Sequence, residues 1–249
     1  IIGEPNDGLR AMFTMMNNAR LGVGGQGIGV AEAAFQHSTE YALNRKQGKS
    51  TIQNKHGTII DHADVRRMLI SMRADIFASR SIELENAKAI DMANATGEPE
   101  WINKAAFLTP ITKVFGTEIG INISNLGVQI HGGMGFIEET GAAQFSRDVR
   151  VTAIYEGTNG IQAMDLVGRK MMDNGETAYA IINQIKEYID NLSGVKKDLS
   201  GLLELANETL RETVESLISK KEVSDRFGGA MPFLMGFARV LGGFYHLKA

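Results

Sequence analysis

Cysteine is absent from the 249 residues. That excludes disulfides, thiolate nucleophiles and cysteine metal sites, and it fits a reducing compartment. Proline is scarce, at four residues, so little stands in the way of long helices. Neither charge sign dominates: 26 Lys and Arg against 29 Asp and Glu give a formal net charge of -3, which argues against a general nucleic-acid binder. The most apolar segment, Met231 to Leu247, is too short and too broken by Arg239 and glycines to span a membrane. No G-x-S-x-G motif or P-loop is present. His37, His56, His62, His131 and His246 form no His-x-x-x-His pair, so a metal site finds little support. The first residues lack the basic start and apolar run of a signal peptide. Ile1-Ile2-Gly3-Glu4 read as the end of a strand, and both termini read as cuts through a longer protein.

Ala, Leu, Met and Glu are plentiful and point to an all-α chain. The spacing of Met12, Met16, Ala19 and Val23 predicts a helix from Leu9 to Arg45. A polar loop from Lys46 to Ile60 carries Gly48, Asn54 and Gly57. Asp61 is the expected N-cap of a second helix to about Ala95, with Val65, Leu69, Met72 and Ile76 as its buried stripe. Arg66, Arg67, Arg73 and Arg80 are assigned to solvent, subunit contacts or salt bridges. A third helix runs from Trp101 to about Gln129, with Pro110 as a kink or a late start. Glu139 to Asp148 reads as a short helix, and Thr158 starts a fourth long segment with Ile161, Leu166 and Val167 facing inward. Asp173-Asn174-Gly175 is a turn. Thr177 to Leu192, Lys196 to about Lys220 and Met231 to Leu247 complete the helices.

Glycines cluster at two places. Gly22-Val23-Gly24-Gly25-Gln26-Gly27 is a literal G-x-G-x-x-G, but Met15 to Arg20 continue a helix where a dinucleotide site needs a strand. Close helix packing is the better reading. His131-Gly132-Gly133-Met134-Gly135-Phe136 reads either as a glycine C-cap with a turn or as backbone amides laid against an anion.

Downstream of both lies Glu156, in Tyr155-Glu156-Gly157-Thr158, with no basic residue within five positions. A carboxylate in an apolar, water-poor site is a candidate base for a carbon acid. The plain alternative is a solvated loop acid. Arg147-Asp148-Val149-Arg150 just upstream are expected to fix this loop through ion pairs.

The order Q-I-H-G-G-M-G-F, R-D, I-Y-E-G-T-N-G-I-Q across Gln129 to Gln162 resembles the late signature of the acyl-CoA dehydrogenase family. Arg20, the small-residue run and Tyr41-Ala42-Leu43-Asn44-Arg45 match that family's R…G…YA-x-x-R helix. The form Arg45-Lys46-Gln47-Gly48, with Phe136-Ile137-Glu138-Glu139-Thr140-Gly141, is similar to a bacterial branch, that of the 3-methylmercaptopropionyl-CoA dehydrogenases, which carries extra C-terminal helices.

The resemblance implies a remnant of a β-domain over residues 1–6, an antiparallel four-helix bundle over 7–172 with helices beginning at Leu9, Asp61, Trp101 and Thr158, and additional helices over 173–249. It implies an FAD-dependent acyl-CoA dehydrogenase in which Glu156 removes the α-proton and the Glu156 N–H polarises the thioester carbonyl. It places Gly157 and Thr158 beside the flavin. Arg45, Gln129, Gly132 and Gly133 would hold the FAD of a neighbouring subunit, and Arg20, Tyr155 and Gly157 would face the acyl-CoA. The implied partners are acyl-CoA, a second copy in a homodimer or homotetramer, and an electron-transfer flavoprotein as acceptor, in the bacterial cytoplasm. An acyl-CoA oxidase and an inactive helical oligomerisation module are the alternatives. Only one of the family's three domains is matched, so the chain by itself is expected to bind FAD weakly or not at all.

Overall fold

The computed structural model describes residues 3–50, 52 and 57–249. Ile1, Ile2, Asn54 and His56 lie outside them, and Gly3 and Glu4 form a bend rather than a strand end. Among the described residues everything regular is helical except one isolated antiparallel bridge between Lys46 and Thr58. The all-α expectation holds.

Three long helices dominate: α1 (Gly8–Asn44), α2 (Ala63–Thr96) and α3 (Pro99–His131). Gly97, at φ 69°, ends α2 in a left-handed cap, and Pro99 opens α3 two residues later, so the two are antiparallel neighbours. The cap of α2 is His62, not Asp61. Asp61 closes a 3₁₀ turn, Ile59–Asp61, and is buried. Pro110 does not delay α3, which starts at Pro99 and passes through it. A mid-helix proline costs about 3 kcal/mol and each of Gly116, Gly120 and Gly127 up to about 1 kcal/mol. Leu108, Ile111, Val114, Phe115, Ile119 and Ile123, each at most 1% exposed, contribute about 1.5–3 kcal/mol apiece and outweigh those costs.

The first glycine cluster does what close packing predicts. A Cβ on Gly24 would meet the Thr112 carbonyl oxygen at 2.8 Å, on Gly27 that of Gly116 at 2.5 Å, and on Gly116 that of Gly24 at 2.6 Å. A Cβ on Gly120 would meet the Gly27 oxygen at 2.7 Å and Val149 Cγ2 at 2.8 Å. Thus α1 and α3 run in parallel, backbone against backbone. The beginning of α1 projects past this contact, and Met12, Phe13 and Met15 are exposed, against the stripe expected from Met12.

After α3 come α4 (Gly133–Phe136), a 3₁₀ turn (Glu138–Thr140), α5 (Ala142–Val149) and a second 3₁₀ turn (Arg150–Ala153). The short helix expected from Glu139 is therefore divided at Gly141, whose φ is 76°. The fourth side of the bundle is α6 (Asn159–Asp165), continued by a π turn, Leu166–Lys170. Leu166 and Val167 are buried as expected, whereas Ile161 is exposed because it follows the N-cap on the outer side.

The remaining helices are α7 (Glu176–Asp190), α8 (Val195–Leu199), α9 (Gly201–Ser219), α10 (Val223–Gly228) and α11 (Ala230–Lys248). The single helix expected over Lys196–Lys220 is broken at Ser200, which is buried and turns its hydroxyl back onto the Lys197 carbonyl at 2.8 Å. Phe237 of α11 packs edge-on against Phe107 of α3 at 5.0 Å between centroids, and Arg239 pairs with Asp75 of α2. One continuous apolar core joins the bundle to α7, α9 and α11.

Gly27→Ala should lower the unfolding free energy by about 2 kcal/mol or more, because backbone cannot yield as a side chain can. Gly29→Ala, in the same helix with nothing within 4 Å of the added Cβ, should instead raise it by about 0.5–1 kcal/mol. Chemical denaturation of the two variants measures both.

Candidate active site

Glu156 sits in the loop between the 3₁₀ turn Arg150–Ala153 and α6. Its φ is 55° and that of Gly157 is 86°. Glycine adopts this region freely, but glutamate does so at a cost of about 1–2 kcal/mol that its surroundings must offset. Thr158 then caps α6, its hydroxyl accepting from the Ile161 N–H at 3.4 Å.

Two buried cations take hold of this loop from beneath. Arg20 of α1, 5% exposed, donates through Nε to the Glu156 carbonyl at 3.4 Å and through Nη1 to Asn17 at 3.0 Å. Lys113 of α3, fully buried, donates through Nζ to the Gly157 carbonyl at 3.0 Å and to Asn159 Oδ1 at 2.8 Å. Asn159 Nδ2 in turn donates to Thr117 Oγ1 at 3.0 Å and Glu118 Oε1 at 2.7 Å. Gln162 Nε2 reaches the Glu156 carbonyl at 3.5 Å. The Tyr155 hydroxyl donates to Gln26 Oε1, within the first glycine cluster.

Burial pushes Lys113 down to about 8; Arg20 adds to the fall, while Glu118 and Glu156 oppose it. Burial likewise lowers Arg20, with Asp165 and Glu156 opposing. The Glu156 carboxylate itself makes no hydrogen bond or ion pair among the described residues, and the Glu156 N–H has no backbone acceptor there. The apolar enclosure expected around Glu156 is not supplied by these residues. Glu156 is half-buried and Ile154 is 53% exposed, because the chain covers the loop only from the side of α1 and α3.

The expected ion pairs from Arg147 to Arg150 also fail to reach this loop. Arg147 forms a double hydrogen bond with Glu138, at 2.9 and 2.6 Å, and so fastens α5 to the turn after α4. Arg67 pairs with Asp64 and Arg80 with Glu32, both at 2.8 Å, as assigned.

The second glycine cluster lies at the other end of the bundle. Gly132 caps α3 at φ 60°, its N–H bonded to the Gln129 carbonyl at 3.1 Å. Gln129, Gly132 and Gly133 are exposed, and a Cβ on either glycine would meet nothing within 4 Å. A cleft of about 270 Å³ beside them is lined by Tyr41, Arg45, Gln47, His62, His131 and Gly132, among others. His131, 3% exposed, stacks between His37 and Tyr41 at 4.7 and 4.2 Å. Its Nδ1 lies 2.7 Å from the Gly127 carbonyl, which can only accept, so Nε2 is left as an unpaired acceptor. Burial pushes this imidazole below its ordinary value and keeps it neutral at pH 7.

Arg20 and Arg45 stand 25 residues apart on one helix, roughly 37 Å. The structure thus brings Arg20, Tyr155, Glu156, Gly157 and Thr158 together, and separately Arg45, Gln129, Gly132 and Gly133. Sequence reasoning missed Lys113, Asn159 and Gln162. The available signal for Lys113 was a lone charge in the otherwise apolar and neutral run from Ala105 to Thr117.

The family description "Acyl-CoA dehydrogenase, C-terminal domain" matches residues 6–172. The 3-methylmercaptopropionyl-CoA dehydrogenase of Ruegeria pomeroyi is 41% identical over 246 residues, 94% of this chain and 42% of that enzyme. A butyryl-CoA dehydrogenase of Syntrophomonas wolfei is 34% identical over 191 residues, 74% of this chain and 31% of that enzyme. The solved acyl-CoA dehydrogenase complexed with FAD from Bacillus anthracis aligns with a TM-score of 0.79 and 23% identity over 99% of this chain and 44% of that one, a likeness of fold. The chain therefore spans less than half the length of these proteins.

A lysine depressed to about 8 when folded and near 10.5 when unfolded carries its proton only in the unfolded state between those values. Stability rises with pH wherever the unfolded state binds more protons. The stability of the chain relative to Lys113→Met should therefore be lowest below about pH 8 and grow from there toward pH 10.5. Parallel urea titrations across this range check the sign; a difference that stays flat or shrinks would contradict it.

Proposed function

The chain belongs to the acyl-CoA dehydrogenase family, and on that premise we propose that it forms the C-terminal part of an FAD-dependent enzyme that oxidises an acyl-CoA thioester to its 2,3-enoyl-CoA. The observation that carries the proposal is Glu156. It is a carboxylate with no partner among the described residues, on a loop whose backbone is held left-handed by buried side chains. A group meant only for solvation needs no such support.

Glu156 takes the α-proton as the electron pair of that C–H bond moves to form the double bond, and the β-hydrogen departs as hydride. The Glu156 N–H, free of a backbone acceptor, donates to the thioester oxygen, where negative charge develops. FAD, when bound, supplies the acceptor for the hydride. Tyr155, tied to Gln26, and Gly157, which offers no side chain, border the acyl-CoA, and Gly157 and Thr158 lie along the flavin side. Arg20, expected along the acyl-CoA face, also holds the loop from beneath. With 5% exposure it is a support for the Glu156 carbonyl.

The other end of the bundle fits the phosphate-bearing part of the same cofactor. Arg45 brings a cation, Gln129 an amide, and Gly132 and Gly133 open backbone. Two clusters so far apart on α1 cannot serve one FAD on one chain, which supports a homodimer or homotetramer that shares FAD between subunits. Among the described residues no helix is long and apolar enough to cross a membrane. We assign the enzyme to the cytoplasm, with an electron-transfer flavoprotein as its oxidant.

In the full-length protein, Glu156→Gln should lower kcat by about 10²–10⁴-fold or more while flavin content stays unchanged. Turnover within about twofold of wild type would remove Glu156 from this role.

A further inference from the structure

Among the described residues Lys113 is the one charged side chain that is fully buried, and it carries a cost that an apolar residue would avoid. It is fully buried, with Ile111, Val114 and Phe115 around it at 0–1% exposure. Methionine or leucine would fill this position without desolvating a cation. What the cation gains must lie in what it binds. Its two acceptors, the Gly157 carbonyl and Asn159 Oδ1, flank Thr158 immediately after Glu156. No other side chain of the described residues donates to the Gly157 carbonyl. Asn159, 6% exposed, is anchored from its far side by Thr117 and Glu118, one turn along α3. The arrangement is thus a closed staple: Lys113 and Thr117 on α3, Asn159 at the start of α6, and the loop between.

We propose that Lys113 is a positioning residue for Glu156: by holding the Gly157 carbonyl and Asn159 against α3, it keeps the Glu156–Gly157 backbone left-handed and aims the carboxylate and the Glu156 N–H at the substrate. This rests on the reading of Glu156 as the base, but its first test does not. Arg20 grips the preceding carbonyl from α1, yet at 3.4 Å and with only one bond to the loop. Lys113 makes one of 3.0 Å to the loop and one of 2.8 Å to Asn159 at the start of α6, and is the firmer of the two supports. The charged groups facing it are Glu118 on its own helix, Arg20 on α1 and Glu156 on the loop. Its low proton affinity agrees with a cation kept for its contacts rather than for solvation.

Hydrogen exchange on the 249-residue chain tests the staple directly. Lys113→Met should speed exchange of the amides across residues 154–160 by about tenfold or more, while α7, α9 and α11 keep their protection. In the full-length enzyme the same variant should lower kcat by about 10–100-fold and change KM by less than about threefold, because the base is misplaced rather than lost. Where Lys113→Met does not fold, Asn159→Ala removes the carboxamide that joins Lys113 to Thr117 and Glu118 and is read in the same way. Unchanged exchange across 154–160 in a folded variant would overturn the proposal and leave Glu156 as the base. Faster exchange together with an active Glu156→Gln would uphold the staple and overturn the base.

Discussion

Everything at the candidate site depends on how closely α1 and α3 approach. Arg20 and Lys113 belong to different helices, yet each reaches a carbonyl of the same two-residue stretch, Glu156-Gly157. They do so because Gly24, one turn after Arg20, lies against the backbone of Thr112, the neighbour of Lys113. A side chain at Gly24, Gly27 or Gly116 would force the two helices apart, and the two cations with them. The glycines that weaken these helices individually are what place two donors under one loop.

The rest of the fold supplies the energy for that arrangement. Burying two cations and holding a glutamate at positive φ are both unfavourable. The apolar core that offsets them runs without interruption from Ile76 and Ile82 of α2, through Phe107 and Phe115 of α3, to Ile182, Ile185, Phe237 and Leu241 of the C-terminal helices. The helices after residue 172 are therefore part of the support for the bundle and not an appendage beside it. Arg239 of α11 shows the connection: it pairs with Asp75 of α2 and lies 5.3 Å over the ring of Phe115, two residues from Lys113.

Much of this was legible beforehand, and for identifiable reasons. Apolar spacing and capping residues located the long helices to within a few positions, since Gly97-Glu98-Pro99 permits little but a stop and a start. The absence of a strand before Gly22 correctly rejected a dinucleotide loop. Glu156 could be singled out because local sequence gives it neither a charge partner nor helical neighbours. Local sequence could not show its supports, because Arg20 lies 136 residues away and Lys113 44 residues from Gly157. The misread ion pairs have the same origin: Arg147 is near the loop in sequence, but α5 turns it toward Glu138 instead. The break at Ser200 is different: the pair Ser200-Gly201 is a local turn signal, and the helix expected over Lys196–Lys220 passes over it.

The central claim is that this loop presents a base to the α-carbon of an acyl-CoA thioester. Anaerobic mixing of the flavin-loaded full-length protein with a panel of acyl-CoA thioesters, followed by flavin absorbance, tests it most directly. The account predicts rapid bleaching with at least one class of acyl-CoA. Fully retained flavin colour with every thioester would contradict it and leave the chain as a helical assembly module.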